Sequence, residues 1–358
     1  MQGWRESLAA ATRGCWDTVS LTLGPQLSQG WNSLLDHLGS STGAPSAVGQ
    51  EYQLGVRRLR VLRQLGEGGY SFVYLVRDVA AAGGAGALLP SAVGPHTFAL
   101  KRVLCGSEEQ VREAEHEVAV MKRLRHPCLL PLLDAASQLH RTPDGSSRHI
   151  VLLLFPVYDG GNLHEFVQRL RQEAAAQQQQ PAACSAAVVQ QARREAQRAH
   201  LRTLLHIFLQ WRQQHEAVLM DFGSARPMPV AVRSRSQAMA AQEDAERHCT
   251  APFRAPELWD VPSSCTLDER VDVWSLGCLL YFLLCGQSPF ERAAGEAGGS
   301  LMLAVVNGRV SWPDDMAPGC PESLKQLVMR CLETDPASRP GVDDVAEQAD
   351  RILAQLWL

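Results

Sequence analysis

The sequence predicts an α+β protein of two lobes, a small β-rich one followed by a larger helical one. Three observations lead there. Strand-like runs crowd the stretch from Tyr52 to Phe155, a glycine-rich turn separates two of them, and helical patterns dominate from Arg194 onward. With 358 residues, 46% of them hydrophobic, the chain can bury one large core or two modest ones.

Residues 1–50 read as an N-terminal extension and linker. Trp31, Leu34, Leu35 and Leu38 follow helical spacing, Trp4, Leu8 and Cys15 hint at a second amphipathic stretch, and Gly39 to Gln50 is rich in Gly, Ser and Pro. A helix for a peripheral membrane contact or a docking partner is one reading. A tail, or a helix packed on the main domain, is the plainer one and is preferred. The small lobe is expected over 51–157. Leu59 to Leu62, Phe72 to Val76 and Thr97 to Lys101 are its first strands, with an Ala/Gly-rich insertion at about 80–95. Glu108 to Leu124 has helical periodicity, and the apolar run Ile150 to Phe155 suits a buried strand. The large lobe is expected over 158–355, interrupted by a low-complexity insertion at about 173–187 that contains Gln177 to Gln180.

Charged residues make up 20% of the chain and the formal net charge is −4, with no dense basic face, so no nucleic-acid partner is expected. Ten cysteines show neither a CxxC pair nor zinc-ligand spacing, and read as reduced, mostly buried thiols. The start, Met1 to Glu6, lacks the pattern of a signal peptide, and the apolar run Leu276 to Cys285 is too short to span a bilayer. A cytoplasmic protein, with membrane association as an option, is the expectation.

Leu65-Gly66-Glu67-Gly68-Gly69-Tyr70-Ser71-Phe72-Val73 lies between two predicted strands. Glycines let a backbone approach phosphates and aim N–H groups at them. A dinucleotide fingerprint would place a helix after the glycines, whereas a strand follows here. Ala99-Leu100-Lys101 then offers a lysine on the third strand, and Glu117 on the next helix could hold it by an ion pair. Asp221-Phe222-Gly223 supplies a carboxylate for Mg²⁺, followed by Ala255-Pro256-Glu257, by Asp272-Val273-Trp274-Ser275-Leu276-Gly277 at the start of an apolar helix, and by Arg339. Any of these alone has an ordinary structural explanation. Their order makes coincidence a poor one.

From these motifs the chain resembles the Ser/Thr protein kinases, and within them the serine/threonine kinase 16 branch of the Numb-associated kinase family. Leu65 to Ser71, Ala99 to Arg102, Ser236 to Ala238 through Arg247 to Thr250, Arg254 to Leu258 and Asp268 to Cys278 carry the likeness, which runs from about Tyr52 to Leu353. It implies a protein-kinase-like fold, ATP and Mg²⁺ as cofactors, and a protein substrate or signalling partner. By position, Leu65, Gly66, Glu67, Gly68, Gly69, Tyr70, Ser71, Val73 and Ala99 would surround ATP, with Lys101 and Glu117 at its phosphates. Phe155 would be the gatekeeper, Pro156, Val157 and Tyr158 the hinge, and Asp221 the Mg²⁺ ligand. Thr250 would face the substrate, Glu257 and Arg339 would form a buried structural pair, and Asp272 would brace the catalytic loop. Two departures stand out. Ser71 replaces the third glycine of the pattern, and Met1-Gln2 does not begin the myristoylation signal of branch members.

A third departure bears on chemistry. Kinases place a His-Arg-Asp loop, with an asparagine shortly after, ahead of Asp-Phe-Gly; the aspartate accepts the substrate proton and the asparagine holds a second Mg²⁺. Between Gly160 and Met220 this chain has no aspartate, and its one asparagine is Asn162. Arg202 to Gln210 reads as the start of the preceding helix and Ala217 to Met220 as a strand entering Asp221, so the catalytic loop is expected to be missing near Trp211 to Glu216. No catalytic base is identified. Three readings follow: a shortened form of an ordinary Ser/Thr kinase, a pseudokinase that binds ATP or a partner without catalysis, and an adaptor that does not use the nucleotide pocket. The clean edges of the gap favour the first for the gene, which by resemblance would encode an ATP-dependent Ser/Thr protein phosphotransferase with this chain a splice form or an imperfect reading of it; the chain as written behaves as the second, and Lys101, Glu117 and Asp221 argue against the third.

Overall fold

In a computed structural model, residues 47–68, 70–80, 96–141, 147–158, 162–179, 218–297, 299–313, 316 and 320–356 are described. They fall into two compact units. Residues 47–158 form the smaller, which also takes in Met220–Gly223; residues 162–179 and 224–356 belong to the larger. Residues 1–46 of the N-terminal extension, most of the 80–95 insertion, Gly69 and the expected gap at 211–216 lie outside the described residues.

The smaller unit is a six-stranded antiparallel sheet, β1 (Glu51–Leu54), β2 (Arg57–Glu67), β3 (Ser71–Asp78), β4 (Thr97–Cys105), β5 (Asp134–Arg141) and β6 (Ser147–Phe155), in the order β1-β2-β3-β4-β6-β5. β6 explains its own position. Ile150, Val151, Leu152, Leu153 and Leu154 are all at most 1% exposed, so this strand is covered on both faces, and it pairs with β4 and β5. One face of the sheet gathers Tyr52, Leu54, Leu59, Val61, Tyr74, Val76, Leu100, Ile150, Leu152 and Leu154 into a core. At its margin Arg102 sits 5.1–5.9 Å over the rings of Tyr52, Phe72 and Tyr74 and donates to the Tyr52 hydroxyl at 2.7 Å.

Strand alternation then decides what the other face carries: Leu100 points into that core, and Lys101, one residue on, points away from it. Against the sheet lies helix α1 (Glu108–Arg123). Ser107 accepts from the backbone N–H of Gln110 at 3.3 Å, the Gln110 side chain accepts from Gly106 N–H at 2.7 Å, and acidic Glu108 and Glu109 open the helix while Lys122 and Arg123 close it. Its buried stripe is Ala114, Glu117 and Met121, so a carboxylate occupies the middle of an apolar face.

The larger unit is helical: α2 (Leu163–Gln179), α3 (Arg235–His248), α4 (Arg270–Cys285), α5 (Pro289–Ala297), α6 (Leu301–Val306), α7 (Glu322–Cys331) and α8 (Val342–Leu356), with a two-stranded ribbon of β7 (Val230–Val232) and β8 (Cys265–Leu267). The two units together give the α+β architecture the sequence predicts. Among the described residues, no single helix is long and apolar enough to cross a membrane. The apolar run at Leu276 to Cys285 is the second half of α4, buried as the centre of this unit's core. α4 stops at Gly286, which adopts the left-handed conformation at φ 76° and donates to Phe282 O at 2.7 Å. Arg171 and Gln168 of α2 donate to Leu284 O and Gly286 O, fastening α2 to that helix end. The 217–220 stretch is less regular than its sequence suggests: of Val218, Leu219 and Met220 only Leu219 makes a β-bridge.

Candidate functional site

The candidate site in the smaller unit is built around one ammonium. Lys101 Nζ donates to Glu117 Oε1 at 2.8 Å and to Oε2 at 3.0 Å, and lies 3.5 Å from Asp221 Oδ1. The partners arrive for separate reasons, Lys101 by strand alternation on β4 and Glu117 by the buried stripe of α1. Asp221 comes with the Met220–Gly223 stretch, where it takes φ 69°. That left-handed conformation is tolerated by Asp better than by most residues with a Cβ, and such strain concentrates at functional sites.

Burial alone would lower the Lys101 pKa, but the charges of Glu117 and Asp221 outweigh it and hold the group above the ordinary lysine value. Burial, with the Asp221 charge adding to it, pushes the Glu117 carboxyl upward against the pull of Lys101. The arrangement therefore has two carboxylates competing for one cation. The Asp221 side chain is 37% exposed, against 6% for Glu117, so Asp221 is the carboxylate open to a further cation.

The turn between β2 and β3 completes the site. Gly66 pairs with Val73 and Glu67 with Phe72, Gly68 donates to Ser71 O at 2.7 Å, and Tyr70 O accepts from Leu104 of β4 at 2.8 Å. A Cβ on Gly68 would stand 2.8 Å from Ser71 Oγ, a contact that rotation of the serine side chain relieves, while Gly66 has open space around it. Leu65 and Tyr70 are exposed. Ala99 is registered with Phe155 across β4 and β6; Phe155 is buried, Pro156 and Val157 are half-buried and Tyr158 is exposed. Gly69, expected in this turn, lies outside the described residues.

The remaining expected residues lie in the larger unit. Arg339 makes a forked pair with Glu257, Nη1 to Oε1 at 2.7 Å and Nη2 to Oε2 at 2.6 Å. It also donates to the carbonyls of Glu333, Arg270 and Thr334, and it lies 5.1 Å over the Trp274 ring. Asp272 is buried in the first turn of α4. Thr250 is half-buried and begins the 3₁₀ turn Ala251–Phe253.

Three side chains to which the sequence assigned no role hold this stretch. Ser288 Oγ donates to Pro252 O at 3.2 Å and Ser275 Oγ to Phe253 O at 3.1 Å. Arg254 is buried, stacks on Trp259 at 4.5 Å and donates to Cys249 O at 3.1 Å, at the end of α3. Ser275 and Arg254 stand inside quoted motifs and Ser288 does not; all three act through backbone carbonyls, which leave no pattern in sequence from which the role could be read.

Comparison with known proteins places this arrangement. Residues 59–357 match the family profile of the protein kinase domain. The chain belongs to the protein kinase family. It is 31% identical over 301 residues to serine/threonine-protein kinase 16 of Mus musculus, covering 83% of this chain and 90% of that one. The Homo sapiens protein of the same name is 30% identical over the same shares. Serine/threonine-protein kinase ppk13 of Schizosaccharomyces pombe is 29% identical over 336 residues, 83% of this chain and 91% of its own. Within the family the chain falls in the serine/threonine kinase 16 branch, and the family generally uses ATP and Mg²⁺ on protein substrates.

The residues present fit that cofactor in part. The glycine turn leaves backbone accessible, Lys101 offers a held ammonium, and Asp221 offers a partly exposed carboxylate, which suits Mg²⁺, an ion usually bound by one or two carboxylates together with waters and phosphate oxygens.

Proposed function

We propose that this chain binds ATP with Mg²⁺ in its smaller unit and transfers phosphoryl groups poorly or not at all, acting through nucleotide or protein binding. The observation that carries the reading is the Lys101 ammonium held between Glu117 and Asp221. Bound MgATP would supply the transferable phosphoryl group. Lys101 would neutralise phosphate oxygens, Glu117 would keep its ammonium in place, Asp221 would hold the metal, and Gly66 and Gly68 would admit the phosphates to the backbone. Poor transfer rests on the sequence between Gly160 and Met220, which offers no aspartate to orient an acceptor hydroxyl and no asparagine beyond Asn162 for a second metal. Positioning supplies much of kinase catalysis, so both losses strike the chemical step.

An active Ser/Thr phosphotransferase is the second reading, favoured by the printed names of the relatives and by the retained Thr250, Asp272 and Glu257–Arg339 group. Thermal denaturation with increasing MgATP tests the first. Stabilisation is expected, approaching about 2.7 kcal/mol at a hundredfold excess over Kd, and is lost in Lys101→Ala. No shift at millimolar ATP would leave the adaptor reading. Lys101-dependent transfer of labelled phosphate to protein would instead support the active enzyme. Peptide mass spectrometry across Leu209 to Met220 of the endogenous protein then shows whether a longer product carrying His-Arg-Asp accompanies this chain. Cytoplasmic residence belongs to the same reading, with membrane contact through residues 1–50 as its subsidiary part; vesicle sedimentation with and without those residues checks it.

A further inference from the structure

The smaller unit contains a groove of about 690 Å³ that the nucleotide site does not use. It is formed by the last turn of α1, the chain that follows it and the start of β5. Leu124, Leu129 and Leu132, all half-buried, and Leu133, which is 43% exposed, give it an apolar lining. Lys122 and Arg125, both exposed, add two positive charges to the lining, against the single carboxylate of Asp134. An open surface of this kind suits a segment with an apolar stripe and no positive charge of its own.

The chain carries such a segment. Trp31, Leu34, Leu35 and Leu38 fall at i, i+3, i+4 and i+7, the spacing of one helix face. From Gly14 to Ser46 there is no lysine or arginine, while Asp17 and Asp36 are acidic. The tether is also long enough. Ala47, where the described chain begins, packs on the core of the sheet, and Gln50 N–H closes a turn on Ala47 O at 3.0 Å. That turn spans less than about 7 Å, and the extended chain from Gln50 to Gly55 covers about 17 Å. At Gly55 an added Cβ would lie 3.5 Å from Asp134 Oδ2, at the margin of the groove. Ala47 is therefore within about 24 Å of that margin, whereas the stretch from Leu38 to Ala47 can reach about 30 Å. Gly39 to Pro45, rich in Gly and Ser, suits such a connection.

We propose that residues 31–38 dock as an amphipathic helix in this groove of the same molecule, their apolar face on Leu124, Leu129, Leu132 and Leu133. Tethering makes the contact intramolecular, with an effective concentration of about a millimolar, so a short helix face suffices. The groove also reaches the helix of the nucleotide site. Met121, one turn beyond Glu117 on α1, lines it, so the docked segment braces the helix that holds Lys101. The docking goes beyond the nucleotide-binding reading and stands whether or not nucleotide binds. It leaves any membrane contact of the extension to the stretch of Trp4, Leu8 and Cys15.

Photo-crosslinking of the full chain tests it, with Trp31 replaced by p-benzoylphenylalanine and the monomer and dimer fractions mapped separately. Cross-links from position 31 are expected within 121–135 of the monomer. They should be lost in Leu133→Glu and equally in Leu34→Ser combined with Leu38→Ser. The first variant places a charge at an exposed position and the second leaves the described core untouched, so loss in both is not an effect of unfolding. Vesicles of phosphatidylcholine and phosphatidylserine, added to the same protein, should leave the cross-links in place. Absence of cross-links within 121–135, their survival in either variant, their confinement to the dimer, or their replacement by lipid adducts would each overturn the docking.

Discussion

Each unit contains a short ion pair, and the two behave as opposites. Lys101–Glu117 and Arg339–Glu257 have closest contacts of 2.8 and 2.6 Å, so length does not separate them. Their surroundings do. The Arg339 side chain is 0% exposed, and its planar fork meets a matching carboxylate and three backbone carbonyls while its face covers Trp274. Nothing more can be added to it without breaking something. The Lys101 side chain is 19% exposed and shares its charge between two carboxylates, one of them on a residue in a strained backbone conformation. A cation whose charge is divided between two carboxylates, one of them partly exposed, is poised to exchange partners, whereas one enclosed with all five donors engaged holds chain segments in place.

Substitutions at the two cations sharpen that contrast, and the largest effect is expected where engagement is complete. Arg339→Ala leaves Glu257 without its guanidinium and should cost about 3–5 kcal/mol in urea denaturation. A loss under about 1 kcal/mol would break the comparison, since it would rank this pair with exposed ones. Arg339→Lys keeps the charge but not the fork, and is expected to cost about 2 kcal/mol, because an ammonium cannot reproduce the donor geometry or the stacking on Trp274. Lys101→Met should cost only about 1 kcal/mol in the same measurement, since burial already biases Glu117 toward taking up a proton once its partner is gone. Its larger effect is expected in the MgATP stabilisation proposed above. If Lys101→Met unfolds the smaller unit, Lys101 is a fold determinant and the contrast fails.

The parts of this protein legible in its sequence are those whose cause is local. The periodicity of Glu108 to Leu124 marks α1, which the structure caps with Ser107 and Gln110, and the unbroken apolar run of β6 marks a strand covered on both sides. The placement of Lys101 and Glu117 follows from alternation on one element and helical spacing on the next. Other features have remote causes. β5 opens with Asp134-Ala135-Ala136-Ser137, which has no β-branched or aromatic residue, and it becomes a strand through its ladder with β6. α3 carries few large apolar residues and shows no amphipathic stripe to read; in the structure Ser234 caps it and helix-favouring Ala, Gln and Glu fill it. The left-handed turn at Asp221 and the grip of Arg254 and Ser288 on backbone carbonyls depend on tertiary partners that a sequence pattern does not contain.

The cluster around Arg102 has a consequence for where the smaller unit begins. The kinase match starts at residue 59, beyond β1, yet Tyr52 of β1 is one of the three rings around that guanidinium and is 3% exposed. Proteolytic trimming to the family boundary would strip away the strand, wet the faces of Phe72 and Tyr74, and take from Arg102 its 2.7 Å hydroxyl acceptor. A piece of this chain able to keep that sheet intact therefore starts no later than Ala47, which packs on the core, since Gly49 donates to Val61 O and Gln50 accepts from Val61 N–H and from the Tyr52 hydroxyl.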